Sequence, residues 1–284
     1  MAEQSHNTSD EQILNLPKVL FHGGPGFSSI LQPPYSHNFH LLNTSSLPLH
    51  QFFATHTHHC SSVAGAGNLF SGDVADMAVA LLIDVMMKIS VADRCVRKRV
   101  PLASWDSLHA SKLTGKKVGI VGLGKIGLEV AQRLEVFGCI ISYNCRNKKT
   151  LVSYPFYSNV VELAANSNVL ILCCALNDQT RHIINREVML ALGKGGVIVN
   201  VGRGDLIDEK ELLQCLMEGE IGGAGLDVFE NEPNVSQEFF LLDNVVLSPH
   251  LGFSTLESYM GICQLVGRNL EAFFSNKPLI TPVL

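Results

Sequence analysis

Three polar side chains in the second half of the chain each lie close to the end of an apolar run. Arg203 ends one such run, Glu232 lies in the stretch 226–233, and His250 follows a Ser-Pro pair. A guanidinium can hold a carboxylate through two parallel hydrogen bonds, and an imidazole can pass a proton near neutral pH. A carboxylate beside an imidazole favours its protonated form. Arg203, Glu232 and His250 are therefore predicted as catalytic residues of a site that reduces a 2-keto acid.

Each member of this trio also has an ordinary interpretation. Arg203 alone could be a surface residue after a strand, and a lone histidine such as His250 is usually structural. At the carboxyl end of a parallel strand, however, Arg203 would point into the crevice where such sheets bind ligands. The contact between Glu232 and His250 is an inference, because the sequence gives no distance between them.

A glycine-rich turn precedes the trio, between a predicted strand and a predicted helix. Gly122 permits the tight turn, Gly124 lets the backbone approach a pyrophosphate, and Gly127 allows close helix–strand packing. The N-terminus of the helix then offers free N–H groups to the phosphates. A glycine turn without a ligand is the alternative. The predicted dinucleotide contacts comprise the whole turn: Gly122, Leu123, Gly124, Lys125, Ile126 and Gly127.

The end of the second predicted strand indicates which nicotinamide cofactor binds. NAD sites usually place an acidic residue about 20 positions after the glycines, whereas residues 142–149 read Ser-Tyr-Asn-Cys-Arg-Asn-Lys-Lys. Arg146 can stack on adenine and pair with a 2′-phosphate, which favours NADPH and leaves NAD possible. A solvated basic loop is the alternative. Further predicted cofactor contacts are Cys145, Asn147, Val201, Gly202 and Asp227.

Asp227 is open to two interpretations, because it lies at a predicted strand end. It could bind the nicotinamide carboxamide, or it could only cap the following turn.

The composition excludes several classes of protein. The chain has 284 residues, is 46% hydrophobic and carries a formal charge of −5, which predicts neither nucleic-acid nor membrane binding. The apolar stretch 74–87 is broken by two aspartates and cannot span a bilayer. Eight scattered cysteines and no secretory signal predict a reduced, cytoplasmic protein. The run His56–Cys60 is interpreted as a loop, and no metal site is predicted.

From residue 116 onward, short β-branched runs alternate with helical patterns. This alternation predicts an α/β fold of Rossmann type, with a doubly wound parallel sheet. The predicted strands are Lys117–Gly122, Cys139–Asn144, Asn168–Cys174, Val197–Val201, Ala224–Val228 and Val245–Leu247, and the predicted helices include Asp73–Ile89, Gly124–Phe137, Glu209–Glu218 and one from Ser254.

The predicted domain organisation has three parts. Residues 1–15 form a disordered tail, and residues 91–255 form the NAD(P)-binding domain. Residues 16–90 with 256–284 form a smaller substrate domain, in which the run Val19-Leu20-Phe21 is a plausible strand.

Taken together, the glycine turn, the Arg203 and Glu232 stretches and Ser248-Pro249-His250 resemble the D-isomer-specific 2-hydroxyacid dehydrogenases. Three segments are most similar to plant glyoxylate/hydroxypyruvate reductases: the basic end of the second predicted strand, residues 182–188, and the run Asn276-Lys277-Pro278-Leu279 near the C-terminus. The resemblance implies NADPH-dependent reduction of hydroxypyruvate to D-glycerate and of glyoxylate to glycolate. It assigns the substrate carboxylate to Arg203, the proton to His250 and the support of that histidine to Glu232. It also implies a homodimer and a flavodoxin-like substrate domain.

Two features depart from the family pattern. Members usually carry several tens more residues ahead of Ala64, so the substrate domain is expected to be truncated. Phe253 stands where members of the family commonly have a small residue, and its ring could narrow the pocket. Two other functions therefore stay open: a non-catalytic NADP-binding protein, and an NAD-linked D-2-hydroxyacid dehydrogenase of other specificity.

Overall fold

The computed structural model describes residues 18–21, 40–43, 64–100 and 109–283, the first two segments by backbone alone. The predicted tail 1–15 and the run His56–Cys60 lie outside the described residues. The elements, in chain order, are β1 Lys18–Phe21, β2 His40–Asn43, α1 Ser71–Met87, α2 Ile89–Arg97, β3 Lys117–Val121, α3 Lys125–Val136, β4 Ile140–Asn144, β5 Phe156–Tyr157, α4 Val160–Ala165, β6 Val169–Leu172, α5 Arg186–Leu192, β7 Val197–Asn200, α6 Glu209–Met217, β8 Gly223–Leu226, β9 Val245–Leu247 and α7 Leu256–Phe274.

Seven of the strands form one sheet in the order β5-β4-β3-β6-β7-β8-β9. Every neighbouring pair in it is parallel. The strand order reverses direction between β3 and β6, which is the switch point of a doubly wound sheet. The predicted Rossmann-type fold is confirmed.

Helices cover both faces of this sheet, and the buried side chains alternate between the two layers. Ile120, Ile171 and Val199 belong to the core cluster that contains α1 and α3. Their strand neighbours, including Leu170 and Ile198, belong to the cluster that contains α4, α5 and α6. Burial on both faces explains why the strands are continuously apolar in sequence.

The described chain divides into two compact units. One comprises residues 70–254, and the other comprises residues up to Leu69 together with those from Thr255 onward. This division differs from the boundary predicted at residue 90, because α1 lies in the unit of the seven-stranded sheet. The reason is packing: Ala78 and Leu82 of α1 are fully buried in the same core cluster as Ile120.

In the other unit, β1 pairs in parallel with β2, and the plausible strand at residues 19–21 is confirmed. Helix α7 begins after Thr255, whose side chain accepts a hydrogen bond from the Ser258 N–H. Asn269 of α7 fixes the C-terminal segment, because its side-chain oxygen accepts the N–H of Ile280 at 2.9 Å. None of the described helices combines the length and the apolar character needed to cross a bilayer.

Candidate active site

The residues predicted for the site converge on one edge of the sheet. Gly122 follows β3, Cys145 follows β4, Val201 follows β7, Asp227 follows β8, and His250 lies just beyond β9. These are the carboxyl ends of parallel strands, where open α/β sheets bind their ligands on either side of the switch point.

The glycine turn has the shape that a pyrophosphate needs. Gly122 has φ 97°, and a Cβ there would lie 2.5 Å from the backbone nitrogen of Cys174. A Cβ on Gly127 would lie 2.3 Å from the Gly122 carbonyl oxygen. A Cβ on Gly124, in contrast, would meet nothing within 4 Å. Two glycines are therefore required by the protein's own packing, while the third borders open space.

That open space lies at the N-terminus of α3, where a phosphate would bind. Gly124 is the N-cap residue and provides no side-chain hydrogen bond to the first turn. Lys125 and Ile126 begin the helix, so their N–H groups are unused within it. Leu123 is buried and donates its N–H to Cys145 Sγ at 3.0 Å, which joins the turn to the end of β4. This cradle fits a dinucleotide.

The loop after β4 is basic and open to solvent. Arg146, Asn147, Lys148 and Lys149 are all exposed, in contrast to the buried strand that precedes them. An exposed guanidinium with two neighbouring ammonium groups fits a 2′-phosphate better than a ribose hydroxyl. The loop thus presents positive charge to solvent next to the end of β4.

Arg203 lies on a turn that Asn200 organises. The Asn200 side chain is 1% exposed; its Nδ2 donates to the Arg203 carbonyl at 2.9 Å, and its Oδ1 accepts the Gly202 N–H at 3.0 Å. The Arg203 side chain is exposed and donates through Nη1 to the Gly202 carbonyl at 2.6 Å. The guanidinium is therefore available to an anionic ligand while its backbone is held.

The turn of Arg203 packs directly on the loop of Glu232. A Cβ on Gly204 would lie 1.8 Å from the carbonyl carbon of Phe229, so only glycine fits between the two segments. The Phe229 N–H, in turn, donates to Glu232 Oε1 at 3.0 Å. This packing brings the arginine and the carboxylate to neighbouring loops at the sheet edge.

The inferred contact between His250 and Glu232 is present. His250 Nδ1 lies 2.9 Å from Glu232 Oε2, and the two side chains are 37% and 38% exposed. A carboxylate accepts only, so Nδ1 carries the hydrogen of this bond and Nε2 is left for proton exchange. The pair has the arrangement of a general acid with its orienting carboxylate.

A second group of charged residues supports the Glu232 loop, and the sequence did not reveal it. Glu209 is 8% exposed, and its Oε1 accepts the Glu230 N–H at 2.7 Å. Burial raises the pKa of the Glu209 carboxyl, and the charges of Glu230, Asp205 and Glu232 act in the same direction. Because Glu209 follows the helix cap Asp208, its sequence position is typical of an ordinary first-turn acid.

The segment before α5 contacts the same region. Arg181 Nη2 lies 2.6 Å from Asp205 Oδ1, and the His182 N–H donates to the Asp205 carbonyl at 2.7 Å. His182 Nε2 lies 2.6 Å from Glu230 Oε1, but both atoms are buried and their geometry makes no hydrogen bond. The loop that follows β7 is thus bonded to this segment, and the loop that follows β8 lies against it.

Phe253 lies beside His250. Its ring centroid is 6.0 Å from that of His250 in an edge-on arrangement, and 5.5 Å from that of Phe70. The ring therefore forms an apolar wall on one side of the imidazole.

A family model for the NAD-binding domain of the D-isomer specific 2-hydroxyacid dehydrogenases matches residues 79–252. Among curated proteins, the chain is similar to glyoxylate/hydroxypyruvate reductase HPR3 of Arabidopsis thaliana, at 58% identity over 221 residues. These cover 78% of this chain and 68% of that protein. It is also similar to hydroxyphenylpyruvate reductase of Plectranthus scutellarioides, at 49% identity over 78% of this chain and 71% of the relative.

Solved structures give the same result at lower identity. A 2-hydroxyacid dehydrogenase from Ketogulonicigenium vulgare superposes with a TM-score of 0.81 at 29% identity, over 94% of this chain and 98% of that one. An NADPH-dependent glyoxylate/hydroxypyruvate reductase from Sinorhizobium meliloti, in complex with NADP and malonate, superposes with a TM-score of 0.81 at 27% identity. That match covers 94% of this chain and 96% of the other.

Proposed function

Because the chain belongs to the D-isomer specific 2-hydroxyacid dehydrogenases and is an NAD(P)-dependent oxidoreductase, we propose that it reduces hydroxypyruvate to D-glycerate and glyoxylate to glycolate with NADPH. The observation that carries this proposal is the His250–Glu232 pair at 2.9 Å, together with the packing of the Glu232 loop against the turn of Arg203. The names of two plant relatives, at 58% and 46% identity, support the choice of substrates.

Each member of the trio has a defined task in this proposal. The exposed guanidinium of Arg203 binds the carboxylate of the keto acid and fixes its orientation. His250, protonated and held through Nδ1 by Glu232, donates a proton from Nε2 to the keto oxygen. Glu232 stabilises the imidazolium before the transfer and keeps the ring in place. The reduced nicotinamide, when bound, supplies the hydride.

The cofactor is proposed to bind along the glycine turn and the basic loop. Gly122, Leu123, Gly124, Lys125, Ile126 and Gly127 would hold the pyrophosphate; Cys145, Arg146 and Asn147 would hold the adenosine ribose and its 2′-phosphate; and Val201, Gly202 and Asp227 would lie near the nicotinamide. The support for NADPH is the exposed basic loop and the NADP complex of a structural relative. We also propose that the protein acts as a homodimer in the cytoplasm, which sedimentation and fractionation check.

Steady-state kinetics with purified protein test the proposal. Hydroxypyruvate and glyoxylate are each assayed with NADPH and with NADH, and the melting temperature is measured with and without each nucleotide. We expect turnover of both keto acids and a lower KM for NADPH. A protein that NADPH stabilises but that turns over neither acid would be a binding protein. A preference for NADH would identify an NAD-linked dehydrogenase instead.

A further inference from the structure

The hydroxyl of Tyr143 closes the basic loop that follows β4, residues 145–149. Tyr143 lies in β4 and is 0% exposed, with its ring packed against that of Phe156 at a centroid distance of 5.4 Å. Its oxygen accepts the N–H of Lys149 at 2.8 Å, and its own hydrogen faces the Lys149 carbonyl at 3.5 Å. A fully buried side chain of the strand thus bonds to the last residue of the loop that the same strand begins.

Two other bonds hold the start of the same loop. The Leu123 N–H donates to Cys145 Sγ at 3.0 Å, and Asn144 Nδ2 donates to the Tyr157 carbonyl at 2.9 Å. Among the described residues, the N–H groups of positions 146–148 have no hydrogen-bond partner. The loop is therefore fixed at both of its ends and not between them.

The basic loop concentrates positive charge. Arg146, Lys148 and Lys149 are exposed, and no acid occurs between Gly138 and Phe156. Like charges so close together repel one another, so a loop with a free end would spread them apart. A loop that is tied at both ends keeps the three cations in one place, where together they suit a phosphate group.

We propose that Tyr143 is a positioning residue for recognition of the 2′-phosphate. By tying Lys149 back to β4, its hydroxyl keeps the three cations together beside the glycine turn, so that nucleotides with a 2′-phosphate are favoured. This inference rests on the proposed function, in which Cys145, Arg146 and Asn147 hold the adenosine ribose and its 2′-phosphate. Because Tyr143 is fully buried, it acts through the loop and not by touching the nucleotide.

The competing role for the hydroxyl is only to satisfy a polar group of a buried side chain. A buried tyrosine hydroxyl usually finds a partner whatever the function of the site. That role predicts a loss of stability when the hydroxyl is removed, with equal effects on all nucleotides. The positioning role predicts an effect confined to ligands that carry a 2′-phosphate.

Amide hydrogen exchange in the free, full-length chain measures the anchoring. Tyr143→Phe removes the hydroxyl and keeps the ring that packs on Phe156. We expect the Lys149 amide to exchange about fivefold faster or more, since it loses its acceptor. Tyr154→Phe is the matched control, because that hydroxyl donates to Glu135 Oε2 at 2.7 Å and not to the loop, and exchange at Lys149 should not change. Equal acceleration in the two variants would contradict the anchoring.

Nucleotide binding measures the consequence of the anchoring. Dissociation constants are determined for adenosine 2′,5′-bisphosphate and for adenosine 5′-monophosphate, which lacks the 2′-phosphate. We expect Tyr143→Phe to weaken binding of the bisphosphate about threefold to fivefold, in keeping with one neutral hydrogen bond, and to change that of the monophosphate by less than about twofold. In steady-state kinetics, KM for NADPH should rise by the same factor while kcat and KM for NADH stay the same. Equal losses for both nucleotides would overturn the proposal.

Two measurements on the wild type complete the test. If Tyr143→Phe does not fold, the wild-type amides decide: slower exchange at Lys149 than at Arg146 and Lys148 supports the proposal, and equal exchange overturns it. A wild type that binds both nucleotides equally would show that the proposed preference for NADPH has failed, and this inference with it. A wild type that prefers the bisphosphate, with the same preference in Tyr143→Phe, would overturn this inference alone.

Discussion

The two halves of the site are built in different ways. The loops after β7, β8 and β9 hold Arg203, Glu232 and His250 through a dense set of side-chain hydrogen bonds, with Asn200 and Asp227 buried beneath them. The region after β3 and β4 instead depends on backbone shape at glycines and on exposed basic side chains. The contrast fits the ligands: proton transfer needs an imidazole fixed in direction, whereas a pyrophosphate needs room and N–H groups.

Outside the His250–Glu232 pair, the largest effect of a single change is expected at Arg203, in the half of the site that the loops after β7, β8 and β9 form. Arg203→Lys keeps the charge but loses the planar fork that binds a carboxylate at two points. We expect kcat/KM for hydroxypyruvate to fall about 10- to 100-fold, as for the loss of one charge-assisted hydrogen bond. The dissociation constant for NADPH should not change. Equal losses in substrate turnover and in NADPH affinity would contradict the separation of the two halves.

The glycines test the other half. Gly124→Ala places a methyl group in open space, so we expect an unchanged melting temperature and an NADPH affinity weaker by about 10-fold, as pyrophosphate approach is obstructed. Gly122→Ala is the matched variant. Because Gly122 has φ 97° and an added Cβ would lie 2.5 Å from the backbone nitrogen of Cys174, this change should lower the melting temperature as well. Differential scanning fluorimetry and nucleotide titration measure both. The same melting temperature in the two variants would contradict this account of the turn.

The basic loop is expected to determine which nucleotide is preferred, with a smaller effect. Arg146→Ala removes one exposed cation that pairs with the 2′-phosphate. We expect KM for NADPH to rise about fivefold to tenfold, in keeping with one charge-assisted contact, while KM for NADH stays the same. Kinetics with both cofactors on one protein preparation check this. A parallel rise for NADH would show that Arg146 contacts a part common to both nucleotides.

The smallest effect is expected at Glu209, and it concerns stability. Burial raises the pKa of this carboxyl in the folded protein, so its ionised form opposes folding. This cost in the free energy of folding is absent at pH values below the pKa of Glu209 in the unfolded protein. It grows as pH rises through the pKa of the same carboxyl in the folded protein. Glu209→Gln keeps an acceptor for the Glu230 N–H and removes the charge, so its melting temperature should exceed that of the wild type at neutral pH.

The pH dependence supplies the control for this prediction. As pH falls toward the range in which Glu209 takes up its proton, the difference in melting temperature between the two proteins should disappear. A difference that is constant with pH would mean that the carboxylate charge is not its cause.

Much of the sheet could be predicted from the sequence, because burial on both faces makes each strand a continuous apolar run. The predicted strand Val245–Leu247 has the bounds of β9, and β3, Lys117–Val121, is one residue shorter than the predicted strand. The edge strand β5, Phe156–Tyr157, was not predicted, since two residues form too short a pattern. Helix α1 was found, but its packing partner was not, because periodicity shows an apolar face without showing what covers it.

The reactive side chains of the site could be predicted from the sequence, whereas the residues that hold them in place could not. The residues Arg203, Glu232 and His250 have reactive side chains near the ends of strand-like runs, so their types and positions could be read directly. The bond from Glu209 to Glu230 depends on how two distant loops pack through Gly204, which no local pattern encodes. The two interpretations of Asp227 stayed open for the same reason, because only the fold brings Ser248 and Gly252 to its oxygens.

The central claim is that the loops after β7, β8 and β9 perform the reduction, while the region after β3 and β4 binds the cofactor. A single-turnover experiment tests it most directly: protein saturated with NADPH is mixed with hydroxypyruvate, and the loss of NADPH absorbance is followed for the wild type and for His250→Gln. We predict equal NADPH binding and a rate lower by about 10²- to 10⁴-fold in the variant, the usual contribution of a general acid. Equal rates in the two proteins, or no oxidation by a wild type that binds NADPH, would contradict the account.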